Sequence, residues 1–165
     1  MTLYFAVKFL HVIGAPVPSN TAAGIAFFML MAHLRGNVSV IAGVARIVVI
    51  ADFIFTASAV VLQPVTGIWL AWHANYSLWE GWIALSIVLY IMTGAFWLPV
   101  VWMQMQLRDL AAEAVVQNRP LPQAYHRLFW WWFAFGFPAF GAVLAIFWLM
   151  IARPAISLWP LAGAT

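Results

Sequence analysis

Cysteine is absent from this 165-residue chain, and charge nearly so. Without thiols there can be no disulfide, thiolate metal site, iron–sulfur cluster or thioether-linked haem, and the redox compartment stays open. Charged residues make up 7% of the chain, with 7 Lys and Arg against 4 Asp and Glu, where a soluble domain carries about 25%. So few charges cannot coat a water-facing globule. That excludes a soluble enzyme, a disordered tail and a nucleic-acid-binding module. The sequence pI near 9.8 comes from a few arginines, which read as topology markers rather than as a nucleic-acid surface. Walker, Rossmann, zincin and nucleophile-elbow patterns are missing, and so are repeats, low-complexity segments and a second domain.

Apolar sequence fills the space instead, at 67% hydrophobic with a mean hydropathy of +1.00. The stretches 9–34, 53–79, 81–107 and 128–152 contain no Asp, Glu, Lys or Arg, and each exceeds the roughly 20 residues that a membrane helix needs. Four transmembrane helices follow, over about 4–33, 40–72, 81–107 and 128–152, in one integral membrane domain covering 1–165. Lys8 before an apolar run imitates a signal peptide. The run continues to Ala32, however, and Pro16 and Pro18 interrupt it without a clear small-x-small cleavage site. Residues 108–117 extend the third helix, and Arg119-Pro120-Leu121-Pro122 ends it.

Arginines set the expected orientation. Arg35 and Arg46 lie near the first connection, Arg108, Arg119 and Arg127 near the third, and the second has none. By the positive-inside rule the first and third connections are cytoplasmic and both termini are outer, that is, periplasmic. Trp69, Trp72, Trp79 and Trp82, and Trp102 with Trp130–Trp132, read as interfacial belts.

In lipid, polar and small residues mark the buried face. At about 100° per residue, His11 shares a face with Gly14, Ala15, Pro18, Ala22, Ala26 and Met29. That smooth face admits a close helix or a flat ligand. Asp52, Thr56, Ala59, Gln63 and Thr66 form one stripe on the second helix. Ser86, Tyr90, Thr93, Trp97, Gln104 and Arg108 form another on the third. The two stripes are expected to face each other. They give an outer polar cluster of His11, Gln63 and Tyr90, and an inner one of Asp52, Gln104 and Arg108.

His11 is the most informative residue, because an ionisable side chain within a span is a functional hypothesis by default. It can bond Gln63 or Thr66 across helices, relay protons, or serve as an axial ligand to haem iron. His73 could approach it from the second helix, and His33 and His126 form a second inner pair, all three being equally at home at an interface. Asp52 needs a partner, for which Arg108 or Arg127 is placed better than Arg46, or it marks a proton or quinone site. Arg46 or Arg127 could hold a haem propionate. Met103 and Met105 point about 200° apart and cannot share a Cu(I) ion. Pro64, Pro99 and Pro138 imply kinks.

Four blocks, KFLHVIGA (8–15), ADFIFTASAVVLQPVTGIWL (51–70), GAFWLPVVWMQMQLRDLA (94–111) and GFPAFGAVLAIFWLMIARP (136–154), resemble an uncharacterised bacterial family of four-helix integral membrane proteins, a domain of unknown function. Lys8-x-x-His11 is also distantly similar to the first-helix signature of the haem-binding bacterial protoporphyrinogen oxidase and of copper-resistance D-type membrane proteins. In the oxidase that histidine is a haem ligand, so the resemblance implies this role for His11. Gly81-Trp82 matches as well, but Ser86 stands where the oxidase carries a lysine. The resemblance therefore implies a ligand and not that enzyme's reaction.

The expectation is an all-α, four-helix transmembrane bundle, multi-pass in the bacterial inner membrane. It would bind haem b through His11, with Gln63, Tyr90, His73 and Arg46 around the cofactor. Its partners would be the lipid bilayer and a quinone or membrane redox protein. The alternatives are a cofactor-free subunit or assembly partner of a larger complex, a homo-oligomer, and a small transporter with Asp52 as the proton-coupled acid. No enzymatic activity is assigned.

Overall fold

The computed structural model describes residues 2–156. Within these residues the chain is helical and holds four helices long and apolar enough to cross a membrane: Thr2–Arg35, Val38–His73, Gly81–Val116 and Gln123–Ala152. They run up and down as a four-helix bundle. The first span is broken into α1 (Thr2–Gly14) and α2 (Pro16–Arg35). Pro16 and Pro18 have no N–H for the carbonyls one turn back, so the helix is interrupted there. The second span comprises α3 (Val38–Ala51), a π-helical turn at Asp52–Thr56, and α4 (Ala57–His73). The third is α5 (Gly81–Val116) and the fourth α6 (Gln123–Ala152).

The first connection is a tight turn. Gly36 takes φ 69° and its N–H bonds the His33 carbonyl, closing α2 in the left-handed conformation that glycine adopts without strain. Asn37 then caps α3 by accepting a hydrogen bond from the Val40 N–H at 3.1 Å. This connection and the 117–122 loop lie at one end of the bundle, called here the basic end. The opposite, terminal end carries Thr2, the 74–80 loop and Arg153. There the Arg153 guanidinium donates to the Tyr76 hydroxyl at 3.1 Å and lies over the Tyr76 and Trp82 rings.

Packing is unequal along the bundle. The main core lies in the basic half, and all four spans contribute to it at helical spacing. Ile25, Met29 and Ala32 face Ile41, Ala45 and Val48, together with Met103, Leu107 and Ala111 and with Tyr125, Phe129 and Trp132. The α5–α6 hairpin is the most extensive interface, followed by α3 on α5. In the terminal half α1 packs on α4, and neither packs extensively on α5 or α6. Outward faces are apolar, with Phe5, Phe9, Phe27, Leu98 and Trp148 all more than half exposed, as expected of side chains that meet lipid.

Candidate functional site

The polar groups of the terminal half are built on one reciprocal fit. His11 on α1 lies over Gly67 on α4, where an added Cβ would sit 3.2 Å from the His11 Cε1. Gln63 on α4 lies over Gly14 on α1, where an added Cβ would come within 2.6 Å of the Gln63 Nε2. Each helix thus offers a glycine to the other's polar side chain. Gln63 Nε2 donates to the His11 carbonyl at 3.3 Å, and His11 Nδ1 lies 2.7 Å from Thr66 Oγ1. The small-residue face around His11 is therefore occupied, at Gly14, by a neighbouring helix.

Hydrogen counting fixes the histidine tautomer. The Thr66 hydroxyl lies 2.6 Å from the Leu62 carbonyl, and two acceptors cannot approach so closely without a hydrogen between them. The one hydroxyl proton is used there. The His11 contact then needs the proton of Nδ1, so the imidazole donates Nδ1–H to Thr66 and its Nε2 keeps a bare lone pair. Metal-ligating histidines are arranged this way, with the second nitrogen holding the ring through a hydrogen bond.

Tyr90 does not join His11. Its hydroxyl donates to the Val60 carbonyl, and the reason is Pro64. Residue 64 has no N–H, so the carbonyl four residues earlier lacks its helical donor, and in lipid a side chain must supply one. The remaining cofactor candidates are dispersed as well. His73 is exposed at the terminal end, stacked on Trp69 with ring centroids 3.6 Å apart, and its Nδ1 lies 3.1 Å from the Trp69 carbonyl. Arg46 is exposed on α3, about 30 Å along the span from Gly67 at 1.5 Å per residue, and so cannot share a ligand with His11. Among the described residues no three His, Cys, Asp or Glu side chains gather to hold a metal ion.

The expected inner cluster is not formed either. Gln104 is buried and accepts from Trp132 Nε1 at 3.3 Å. Arg108 pairs with its chain neighbour Asp109 at 2.8 Å. Arg127 lies in a groove with Trp102, Gln106 and Trp131 between α5 and α6. Ser86 and Thr93 bond back to the Trp82 and Leu89 carbonyls of their own helix, so they do not tie helices together.

Among the described residues Asp52 has no cation in salt-bridge contact. It is 5% exposed, and its polar neighbours are Thr56 and Trp97. The Thr56 hydroxyl and the Trp97 indole nitrogen are buried and make no hydrogen bond of standard geometry. The π turn explains why the stripe on the second span divides. It adds the equivalent of one residue and rotates everything beyond it by about 100°. Asp52 and Thr56 turn toward α2 and Trp97, while Gln63 and Thr66 turn toward α1. At the basic end, His33 and His126 do meet, with ring centroids 5.4 Å apart, and His33 stacks on Phe129 at 3.9 Å.

Sequence reasoning missed the roles of Trp97, Gly14 and Gly67. Trp97 stands on the correct stripe, and its indole N–H is the signal that marks it. The glycines are visible as small residues, but their partners depend on a register that the π turn alters.

These features define the class: an all-helical, four-span membrane bundle with a polar helix-to-helix latch in one half and a buried acid near its middle. The chain belongs to the DUF2269 family of predicted integral membrane proteins, whose family model matches residues 5–154. No curated protein and no solved structure matches it.

Proposed function

We propose that the chain is a membrane redox protein in which His11 is an axial ligand for haem b, exchanging electrons with a quinone or a membrane partner. In this reading the protein lies in a bacterial cytoplasmic membrane, and the arrangement of arginines supports an orientation with the basic end inside and both termini outside. One observation carries the haem reading: Thr66 Oγ1 lies 2.7 Å from His11 Nδ1 and 2.6 Å from the Leu62 carbonyl, a pairing that assigns the imidazole proton to Nδ1 and leaves the Nε2 lone pair for a metal. His11 fits a ligand role in chemistry and orientation. Gly67 gives the ring its seat, and Gln63 ties the α1 backbone beside it. Haem b, when bound, would supply one-electron redox chemistry. Tyr90, His73 and Arg46 stand apart from His11, so in this reading the chain supplies one axial ligand and no propionate clamp from Arg46.

A second reading has a specific observation of its own. The reciprocal seating of His11 on Gly67 and Gln63 on Gly14 is what a cofactor-free latch between two helices needs, in a subunit or assembly partner of a larger complex. The absorption spectrum of the detergent-purified protein, as isolated and after dithionite, separates the two. The haem reading expects a Soret band with sharp reduced bands, lost or shifted in His11→Ala. A colourless protein from a haem-sufficient host refutes it and leaves the latch.

A further inference from the structure

We propose that Asp52, with Thr56 and Trp97, forms an exchangeable proton-binding site inside the membrane. This site is separate from His11 and does not depend on the haem reading. Among the described residues the ion pair formed is Arg108–Asp109, and no cation lies within salt-bridge distance of Asp52. Arg46, on its own span, is exposed. His33 and Arg35 on α2, and Arg108 on α5, lie more than two turns toward the basic end. His73 lies at the far end of α4, and the Tyr90 hydroxyl is engaged by Val60. A permanently charged carboxylate in hydrocarbon without a cation is expensive, so the acid form is the resting state.

The two neighbours suit a carboxyl that changes its protonation state. The Thr56 hydroxyl and the Trp97 indole N–H are buried donors with no hydrogen bond elsewhere, and both face the carboxyl. Leaving two donors unpaired in a membrane interior is costly. A carboxylate accepts from each more strongly than the neutral acid does, because a charged acceptor makes the stronger hydrogen bond, so the two donors favour the ionised form. The site can thus hold either state: the acid, with one proton on the carboxyl, or the carboxylate, with the proton passed on and two neutral donors in its place. The π turn is the local device that aims Asp52 and Thr56 together at Trp97, and such turns recur at functional sites.

Carbodiimide labelling of the full chain in proteoliposomes tests this. The chain has 4 acidic side chains, Asp52, Glu80, Asp109 and Glu113. A hydrophobic carbodiimide reaches the carboxylic acid form from the lipid phase, takes its proton on nitrogen and is attacked at carbon by the carboxyl oxygen, so it should modify Asp52 at neutral pH and spare the other three. The label should vanish in Asp52→Asn and fade as the pH rises. In Thr56→Val and in Trp97→Phe the carboxylate loses a donor, so the fading should move upward by about one pH unit for each donor removed. Infrared difference spectra supply a second readout: a protonated-carboxyl stretch, shifted in D2O and lost in Asp52→Asn. Absence of that stretch at neutral pH overturns the proposal, and so does a labelling profile that neither donor variant moves.

Discussion

Removing the Tyr90 hydroxyl should loosen the bundle by an amount that depends on Pro64. Pro64 leaves the Val60 carbonyl without its helical donor, and the Tyr90 hydroxyl supplies the replacement from α5. Tyr90→Phe keeps the ring and removes the donor alone. A buried carbonyl left unpaired costs about 1–3 kcal/mol. Interhelical hydrogen bonds measured within bilayers run lower, to about 1.7 kcal/mol at most. At this depth water is excluded and the helix offers Val60 no other donor, so the upper part of the bilayer range applies, and the expected loss is about 1–1.7 kcal/mol. Pro64→Ala provides the control, because an alanine there restores the N–H that Val60 lacks. In that background Tyr90→Phe should cost almost nothing. Equilibrium unfolding in mixed micelles of rising SDS content, followed by tryptophan fluorescence, gives all four corners of the cycle. A coupling of about 1–1.7 kcal/mol is expected. If Tyr90→Phe costs the same with proline and with alanine at that position, the proposed division of labour is wrong.

The α1–α4 latch should respond unequally to a methyl group at its two glycines. Gly14→Ala places a methyl 2.6 Å from Gln63 Nε2, whereas Gly67→Ala places one 3.2 Å from His11 Cε1. The first should cost about 1–3 kcal/mol in the same unfolding assay and the second clearly less, and a reversed order would refute the reciprocal fit. Nitrogen-15 NMR of the His11 ring should find the proton on Nδ1 and a bare Nε2. Thr66→Val should abolish that preference, and a proton on Nε2 in the unaltered chain would contradict the hydrogen count.

Much of the architecture is legible in the sequence because the bilayer imposes it. Four charge-free stretches of sufficient length leave little choice, and the span count and all-α class follow from them. Helix ends are less legible. The fourth helix begins at Gln123 rather than near residue 128, because Pro122 starts a helix as readily as it ends one. The polar groups separate into two kinds. Contacts fixed by local chemistry can be read from the sequence: a proline at 64 exposes the carbonyl at 60, and a donor on a neighbouring helix is then required. Contacts fixed by register cannot. Stepping 100° per residue through Asp52–Thr56 assumes an unbroken α-helix, and the π turn violates that assumption, so Asp52 and Thr56 part from Gln63 and Thr66. Arg108 illustrates a different failure. Its polar, inward position favours Asp52 as a partner, but Asp109 is adjacent in the chain and nearer water, so pairing there avoids burying two charges.

The break at Ala15 and the π turn at Asp52–Thr56 interrupt the two spans whose terminal halves pack on each other, and no comparable interruption occurs within α5. Below these interruptions lies the shared apolar core. Above them, α1 and α4 are bound mainly to each other through His11, Thr66, Gln63 and two glycines. In mechanical terms the molecule has a base clamped by all four spans and an upper arm held mainly by its own latch. The arm consists of two helix segments that stay together, because separating them would strand the Gln63 amide and the His11 ring in hydrocarbon. Asp52 lies at the joint between base and arm, in the π turn and beside the Trp97 indole, so this buried acid sits where the packing of the two halves meets.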